Sequence, residues 1–163
     1  MLQGIAPDGE TPTPALVAAW LVMDTLRAES VPMWAATWLV QDYDGEWLAE
    51  LAGLSGRDTR EVRDLLPAAL ADAGVDPLSS RQAALKVAYD HIANMHLSGR
   101  AHWTWAVNQV VELVIGNGYA SEVFEQPLGA LWGIDDELGD PWSRTEDELA
   151  GIVRRACIEQ VQQ

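Results

Sequence analysis

The sequence predicts an all-α fold, a single-domain multi-helix bundle of about six or seven helices. Apolar residues recur at spacings of three and four through most of the chain, which is typical of helices that bury one face. Helix-start residues precede these stretches, and no segment shows the strict alternation of a half-buried strand. The length of 163 residues suits one domain, because two domains would each have a marginal core. We therefore expect a loose N-terminal segment over residues 1–12 and a single helical domain over residues 13–163.

The first three helices are predicted from the residues at their ends. Thr13 followed by Pro14 is a favourable N-cap and first helical position, and Pro32 begins the second helix. Asp44 is expected to cap a short third helix that stops at Gly53.

The fourth helix is predicted from a capping-box pattern, in which Asp58 is followed three residues later by Glu61. Pro67 is expected to kink this helix, because its ring removes one backbone hydrogen bond and clashes with the preceding turn. Gly74 is expected to end it.

The fifth helix is expected to be capped by Ser79 or Ser80. Residues 100–115 form the most apolar helix and are the candidate for the centre of the core. Their valine content would also suit a strand, but the length and the lack of alternation favour a helix.

The C-terminal third is predicted to hold a short segment over residues 126–132 and a loop or helical turn over residues 133–141. Thr145, with Glu148 three residues later, predicts a capping box at the start of the last helix.

The charge balance favours some partners over others. With 10 basic and 25 acidic residues the net charge is −15, which disfavours binding to nucleic acid backbones and to anionic membranes. The same charge would steer a basic partner toward the protein, although solubility alone also accounts for it. The sequence has no apolar run of membrane-spanning length and no secretory pattern at its start, so we expect a cytoplasmic protein. Cys157 is alone and is expected to be buried.

The densest acidic run lies between two tryptophans and is the candidate partner-binding surface. It consists of Trp132, Asp135, Asp136, Glu137 and Trp142. Aromatic anchors beside carboxylates suit a binding surface. Three other interpretations stay open: the tryptophans pin the loop to the core, the carboxylates form a solvated surface, or one buried carboxylate does acid–base chemistry.

Arg57, Arg60 and Arg63 form the candidate nucleic-acid contact. The preceding stretch 48–55 resembles the first helix and turn of a helix-turn-helix, whose second helix would use such arginines on DNA. The turn is longer than usual, Pro67 interrupts the second helix, and acidic residues interleave with the arginines. We therefore favour a structural helical hairpin and keep a DNA-binding regulator as an alternative.

Recognisable catalytic and cofactor-binding motifs are missing from the sequence. The spacing of five between His91 and His96 places them on different sides of a helix, and no zinc cysteine pair, phosphate loop or nucleophile elbow occurs. We therefore predict no catalytic residue, no metal and no cofactor. A helical enzyme or ligand-binding domain, with a pocket lined by Trp103, Trp105 and His102, remains a further alternative.

Several stretches, including 32–36, 61–67, 127–129 and 135–137, resemble small uncharacterised acidic helical proteins of GC-rich bacteria. The resemblance covers most of the chain and implies no activity that can be transferred. Immunity proteins and antitoxins share this size and charge, so the leading hypothesis is a non-enzymatic protein-binding domain, in its sharpest form an inhibitor of a basic partner.

Overall fold

The computed structural model describes residues 10–163, and over this range it is helical with no β-strand. The all-α prediction is confirmed, while the expected six or seven helices fall slightly short of the eight helices of seven residues or more in this range. These are α1 (Pro14–Met23), α2 (Val31–Val40), α3 (Glu46–Ala52), α4 (Thr59–Asp72), α5 (Arg81–Leu97), α6 (Trp103–Gly116), the 3-10 helix Pro127–Glu137 and α7 (Glu146–Val161). Two shorter 3-10 turns span Ala28–Ser30 and Ser121–Phe124.

The chain divides into two compact units, one of residues 11–84 and one that includes residues 85–163, with the boundary inside α5. The predicted single-domain organisation is therefore not confirmed and stays a prediction. Most of the predicted loose segment, residues 1–9, lies outside the described residues, but Pro12 is buried and its carbonyl oxygen accepts a hydrogen bond.

Predicted N-caps account for the starts of four helices. The side chains of Thr13, Asp58 and Thr145 accept hydrogen bonds from backbone N–H groups three residues on, at 3.2, 3.1 and 3.2 Å. Ser80 does the same for α5 at 3.1 Å. These hydrogen bonds confirm the predicted caps. The caps could be predicted because each joins residues only three positions apart in the sequence.

The start of α3 differs from the prediction. Asp44 does not cap the helix; its side chain accepts a hydrogen bond only from the N–H of Gly45, at 2.9 Å. Asp72, at the end of α4, instead accepts hydrogen bonds from Trp47 N and Leu48 N at 2.8 and 3.1 Å. A carboxylate from a different helix thus satisfies two free donors of the first turn of α3.

Pro67 lies inside α4, which is assigned as one continuous helix on both sides of it. The proline therefore does not interrupt the helix, the expected kink stays a prediction, and α4 presents a single apolar face to its unit.

The core of the unit formed by residues 11–84 surrounds Trp38, which is fully buried on α2. Its indole N–H donates to the Pro12 carbonyl oxygen at 2.8 Å, so the polar atom of this large side chain is satisfied. Helices α3 and α4 pack closely against each other. The other buried members are Val17, Ala18, Leu26, Ala28, Val31, Ala35, Leu48, Leu51, Val62, Leu66, Ala69 and Leu70.

In the unit that includes residues 85–163, the 3-10 helix packs against both α6 and α7. Tyr89 is fully buried and donates its hydroxyl to the Val123 carbonyl oxygen at 2.9 Å. Gln160 on α7 is also fully buried and joins three segments: it donates to Asp90 at 3.0 Å and to Gln126 at 2.8 Å, and accepts from the N–H of Leu128 at 3.3 Å. This network holds the start of the 3-10 helix in place.

Over residues 10–163 the longest apolar stretches of helix fall short of what a membrane crossing requires.

Candidate functional site

The 3-10 helix Pro127–Glu137 positions most of the predicted partner-binding residues. A 3-10 helix has three residues per turn, so positions three apart lie above one another. Leu128, Leu131 and Ile134 follow this spacing and are buried. The same period places Trp132 and Asp135 on a second face, where the tryptophan is half-buried and the aspartate is exposed. Asp136 lies on the remaining face and is also exposed.

Trp132 is supported by an aromatic residue that the sequence analysis missed. The ring of Tyr119 meets the ring of Trp132 edge-on, with centroids 5.6 Å apart and planes at 82°. Tyr119 follows Gly118 beyond the end of α6, has a φ of 59° and is 56% exposed. The exposed surface around Trp132 is therefore an aromatic pair. Its one sequence signal is the Gly118–Tyr119 pair that follows the end of α6.

Glu137 is the least accessible carboxylate of the predicted set and is engaged within the protein. It accepts hydrogen bonds from Ser143 Oγ at 2.7 Å and from Arg144 Nε at 2.9 Å, and Arg144 Nη2 donates to its second oxygen. The hydrogen bonds from Arg144 and Ser143 lower the pKa of Glu137 to about 2. The hydrogen bonds of Glu137 with Ser143 and Arg144 close a loop over residues 138–145, which we call the Trp142 loop.

Trp142 is 92% exposed at the tip of this loop. The loop itself is ordered by a turn: the N–H of Trp142 donates to Asp140 Oδ1 at 2.9 Å, and the N–H of Ser143 donates to the Asp140 carbonyl oxygen at 3.1 Å. The alternative in which Trp142 pins the loop to the core is wrong, since its side chain is almost fully in solvent. Within the described chain, no ring contact joins Trp142 to Trp132.

A groove of about 460 Å³ lies beside the Trp142 loop, and we call it the Trp103 groove. Its apolar lining consists of Trp103, Leu138, Pro141 and Leu149, and its charged lining of Glu137, Asp140, Arg144 and Glu146; Thr104 and Gly139 complete it. Trp103 and Leu149 are buried, so they form the floor, while Asp140 and Glu146 are exposed at the rim.

Of the three residues expected to line a pocket, only Trp103 lines this groove. Trp105 packs against Met95 and Ala101 instead. His102 is exposed and caps α6, where its Nδ1 accepts a hydrogen bond from the N–H of Thr104 at 3.2 Å.

His96 and His102 make separate local hydrogen bonds. His96 Nδ1 lies 3.0 Å from the Ala101 carbonyl oxygen, and burial lowers the pKa of His91. Among residues 10–163, no group of three metal-ligating side chains is close enough to hold an ion. Cys157 is fully buried, as expected, and burial raises the pKa of its thiol to about 12.

The three arginines of the alternative nucleic-acid surface are not equally available. Arg57 lies in the α3–α4 connection and Arg60 in the first turn of α4, and both are exposed. Arg63 is half-buried and binds elsewhere in its unit: Nη1 lies 3.5 Å from Asp24 Oδ1, and Nη2 donates to the Leu26 carbonyl oxygen at 3.4 Å. The α3–α4 connection spans residues 53–58, which is long for a helix-turn-helix.

No protein-family model, curated protein or solved structure matches this chain. The resemblance to small acidic helical proteins therefore stays a prediction.

Proposed function

We propose that the chain is a non-enzymatic binding protein that docks a basic protein partner through the surface of Trp132, Asp135, Asp136 and Trp142. In its sharpest form it is an immunity- or antitoxin-like inhibitor that acts in the cytoplasm. The observation that carries the proposal is Trp142, an indole that is 92% exposed on a loop held by internal hydrogen bonds.

The exposure of Trp142 has an energetic consequence. An apolar side chain of this size gains free energy when it leaves water, at about 25 cal/mol per Å² of buried area. Because the loop is ordered before binding, little conformational entropy is lost when a partner covers the indole. Tryptophans in such positions are the commonest residues to dominate a binding energy.

The exposed carboxylates supply the second part of the proposal. Asp135 and Asp136 are in solvent, and among the described residues neither side chain makes a hydrogen bond or an ion pair. Together with the net charge of −15 they would attract a basic surface and raise the rate of encounter. Glu137 has a different role, because its carboxylate is already bound by Arg144. We therefore assign it to holding the loop.

The proposal is tested by capture from a lysate of the source cells. Immobilised protein is compared with W142A, with D135N/D136N, and with two controls: V40A, which removes an exposed apolar side chain, and E112Q/E159Q, which removes two exposed charges elsewhere. We expect one stoichiometric basic protein bound by the wild type and both controls. We expect binding to fall at least about thirtyfold with W142A, the loss typical of a dominant interface residue. The D135N/D136N variant should slow association at low salt.

The proposal fails if no stoichiometric protein is retained, or if W142A retains it as well as V40A does. For an inhibitor, the purified partner must also lose its activity when the wild-type chain is added.

DNA binding by Arg57 and Arg60 remains a weaker second proposal, supported only by the exposure of these two side chains. Genomic fragments at low salt should be retarded by the wild type and not by R57A/R60A. Absence of retardation at every protein concentration would exclude it.

A further inference from the structure

We propose that the Trp103 groove receives a basic side chain, arginine or lysine, of the protein partner, with Asp140 and Glu146 facing its charge and the apolar floor packing against its stem. The inference rests on the proposed function, since it names the chemical group by which the partner is held. It adds a binding site that lies beside the Trp142 loop and uses residues other than Trp132, Asp135, Asp136 and Trp142.

The charges of the groove favour a cation. Glu137 and Arg144 also line it, but they bind each other and offset each other's charge. Asp140 uses one carboxylate oxygen for the N–H of Trp142, and the side chain of Glu146 makes no hydrogen bond or ion pair within residues 10–163. Two carboxylates are therefore left to interact with a ligand.

Helix ends oppose this preference but do not reverse it. The N-termini of α6 and α7, at Trp103 and Glu146, both border the groove, and each carries about half a positive charge. His102 and Thr145 already accept hydrogen bonds from the first turns of these helices. The two full negative charges at the rim exceed the partial charges of the helix ends.

The floor of the groove decides which kind of cation fits. A bare hard cation requires six or more oxygen ligands, whereas Trp103, Leu138 and Leu149 offer none from their side chains. Arginine and lysine instead place an apolar stem against hydrocarbon and keep the charge near the solvent. The groove has this same arrangement, with the buried Trp103 and Leu149 below and the exposed Asp140 and Glu146 above.

The position of the groove favours a protein as the source of that side chain. Pro141 lines the groove, and the next residue, Trp142, projects into solvent. A partner that inserts a basic side chain would therefore bring its surrounding surface within reach of the exposed indole.

The inference is tested by nuclear magnetic resonance with three peptide amides as probes: tetra-arginine, tetra-lysine and tetra-citrulline, the last being a neutral analogue of the first. The indole N–H of Trp103, assigned with W103F, and the backbone N–H groups of Thr104 and Gly139 report on the groove. We expect saturable shifts of these signals with at least one cationic peptide and none with tetra-citrulline.

The matched variants are D140N/E146Q, at the groove, and E112Q/E159Q, which makes the same charge change in the same unit outside the lining. The D140N change keeps an acceptor oxygen for the turn, and both positions are exposed, so the fold should survive. We expect D140N/E146Q to weaken binding of the cationic peptide about tenfold, the loss of two solvent-accessible ion pairs, and the control to stay within about twofold.

The inference is overturned if no saturable shift appears at Trp103, if tetra-citrulline binds equally, or if both double variants weaken binding alike. Capture of the natural partner separates the two proposals. A partner that is lost with W142A but binds D140N/E146Q as tightly as the wild type would leave the proposed function intact and refute the groove. If no partner is captured at all, the proposed function fails, and the peptide titration still decides whether the groove binds cations.

Discussion

Replacing the buried Gln160 with methionine should destabilise the protein strongly, although the two side chains have similar size. Gln160 is fully buried, and its amide satisfies polar groups on three segments. Methionine keeps most of the packing but removes all of these hydrogen bonds. The buried N–H of Leu128 then has no acceptor from this side chain, and the side-chain carbonyl oxygen of Gln126 loses a donor.

The size of the effect follows mainly from the buried N–H of Leu128, whose loss of an acceptor costs about 1–3 kcal/mol. Loss of the bonds to Gln126 and Asp90 costs less for each bond, because Gln126 has a further interaction and Asp90 also binds Lys86 at 2.8 Å. We expect a loss of about 3 kcal/mol in the free energy of unfolding. For a chain of this length that corresponds to a fall in Tm of roughly 6–12 °C.

The assay is urea unfolding followed by tryptophan fluorescence, with Gln162→Met as the control because Gln162 is exposed two residues further along. The control should change stability by less than about 0.5 kcal/mol. If the two units unfold in separate transitions, the loss should appear in the transition of the unit that contains α7. A Gln160→Met protein within about 0.5 kcal/mol of the wild type, at unchanged m-value, would refute the proposed role of the network.

Three further predictions concern single side chains. Gly129→Ala should lower the free energy of unfolding in urea by about 2 kcal/mol, because the added Cβ would overlap the backbone of Val123 and Phe124. Gly133→Ala is the control and should be nearly neutral, because its Cβ would meet open space. Equal effects of the two changes would contradict the close approach of Gly129 to the backbone of Val123. Asp72→Ala should lower the free energy of unfolding by about 1 kcal/mol, because it removes the cap of α3. Asp76→Ala, at an exposed position, is the control and should leave stability unchanged. An Asp72→Ala protein as stable as the wild type would show that the cap contributes little. Burial raises the pKa of Cys157 in the folded state to about 12, whereas the thiol of the unfolded chain has a pKa near 9. The contribution of this thiol to stability is therefore fully present below pH 9 and is lost as pH rises toward 12. Unfolding measured between about pH 8 and pH 10.5 should therefore show a smaller alkaline loss for C157A than for the wild type, and parallel curves would argue against this contribution.

The starts of the helices could be predicted because the interactions that fix them are local. Thr13, Asp58 and Thr145 each bind a backbone N–H three residues away, so the signal lies within one turn of sequence. The start of α3 could not, since its acceptor, Asp72, lies 24 or 25 residues from the groups it caps. Asp44 has the residue type and position of a local cap, but the distant carboxylate takes its place.

The residues of the candidate site were selected from the sequence and their role stays a prediction, whereas their arrangement could not be predicted. The spacing of three between Leu128, Leu131 and Ile134 fits an α-helix as well as a 3-10 helix, and the glycine at 133 favours a division of the segment there. The pairing of Glu137 with Arg144 closes a loop, and the contact of Trp132 with Tyr119 joins segments 13 residues apart; neither has a periodic signal.

The threefold period of the 3-10 helix also limits how this region can change in evolution. Inserting or deleting one residue between Leu128 and Ile134 would turn everything after it by about a third of a revolution. A deletion would then bring Asp135 to the buried position of Ile134 and an insertion would bring Gly133 there, whereas a three-residue change would keep every face in register. Single-residue length changes here should abolish soluble expression, and three-residue changes should be tolerated.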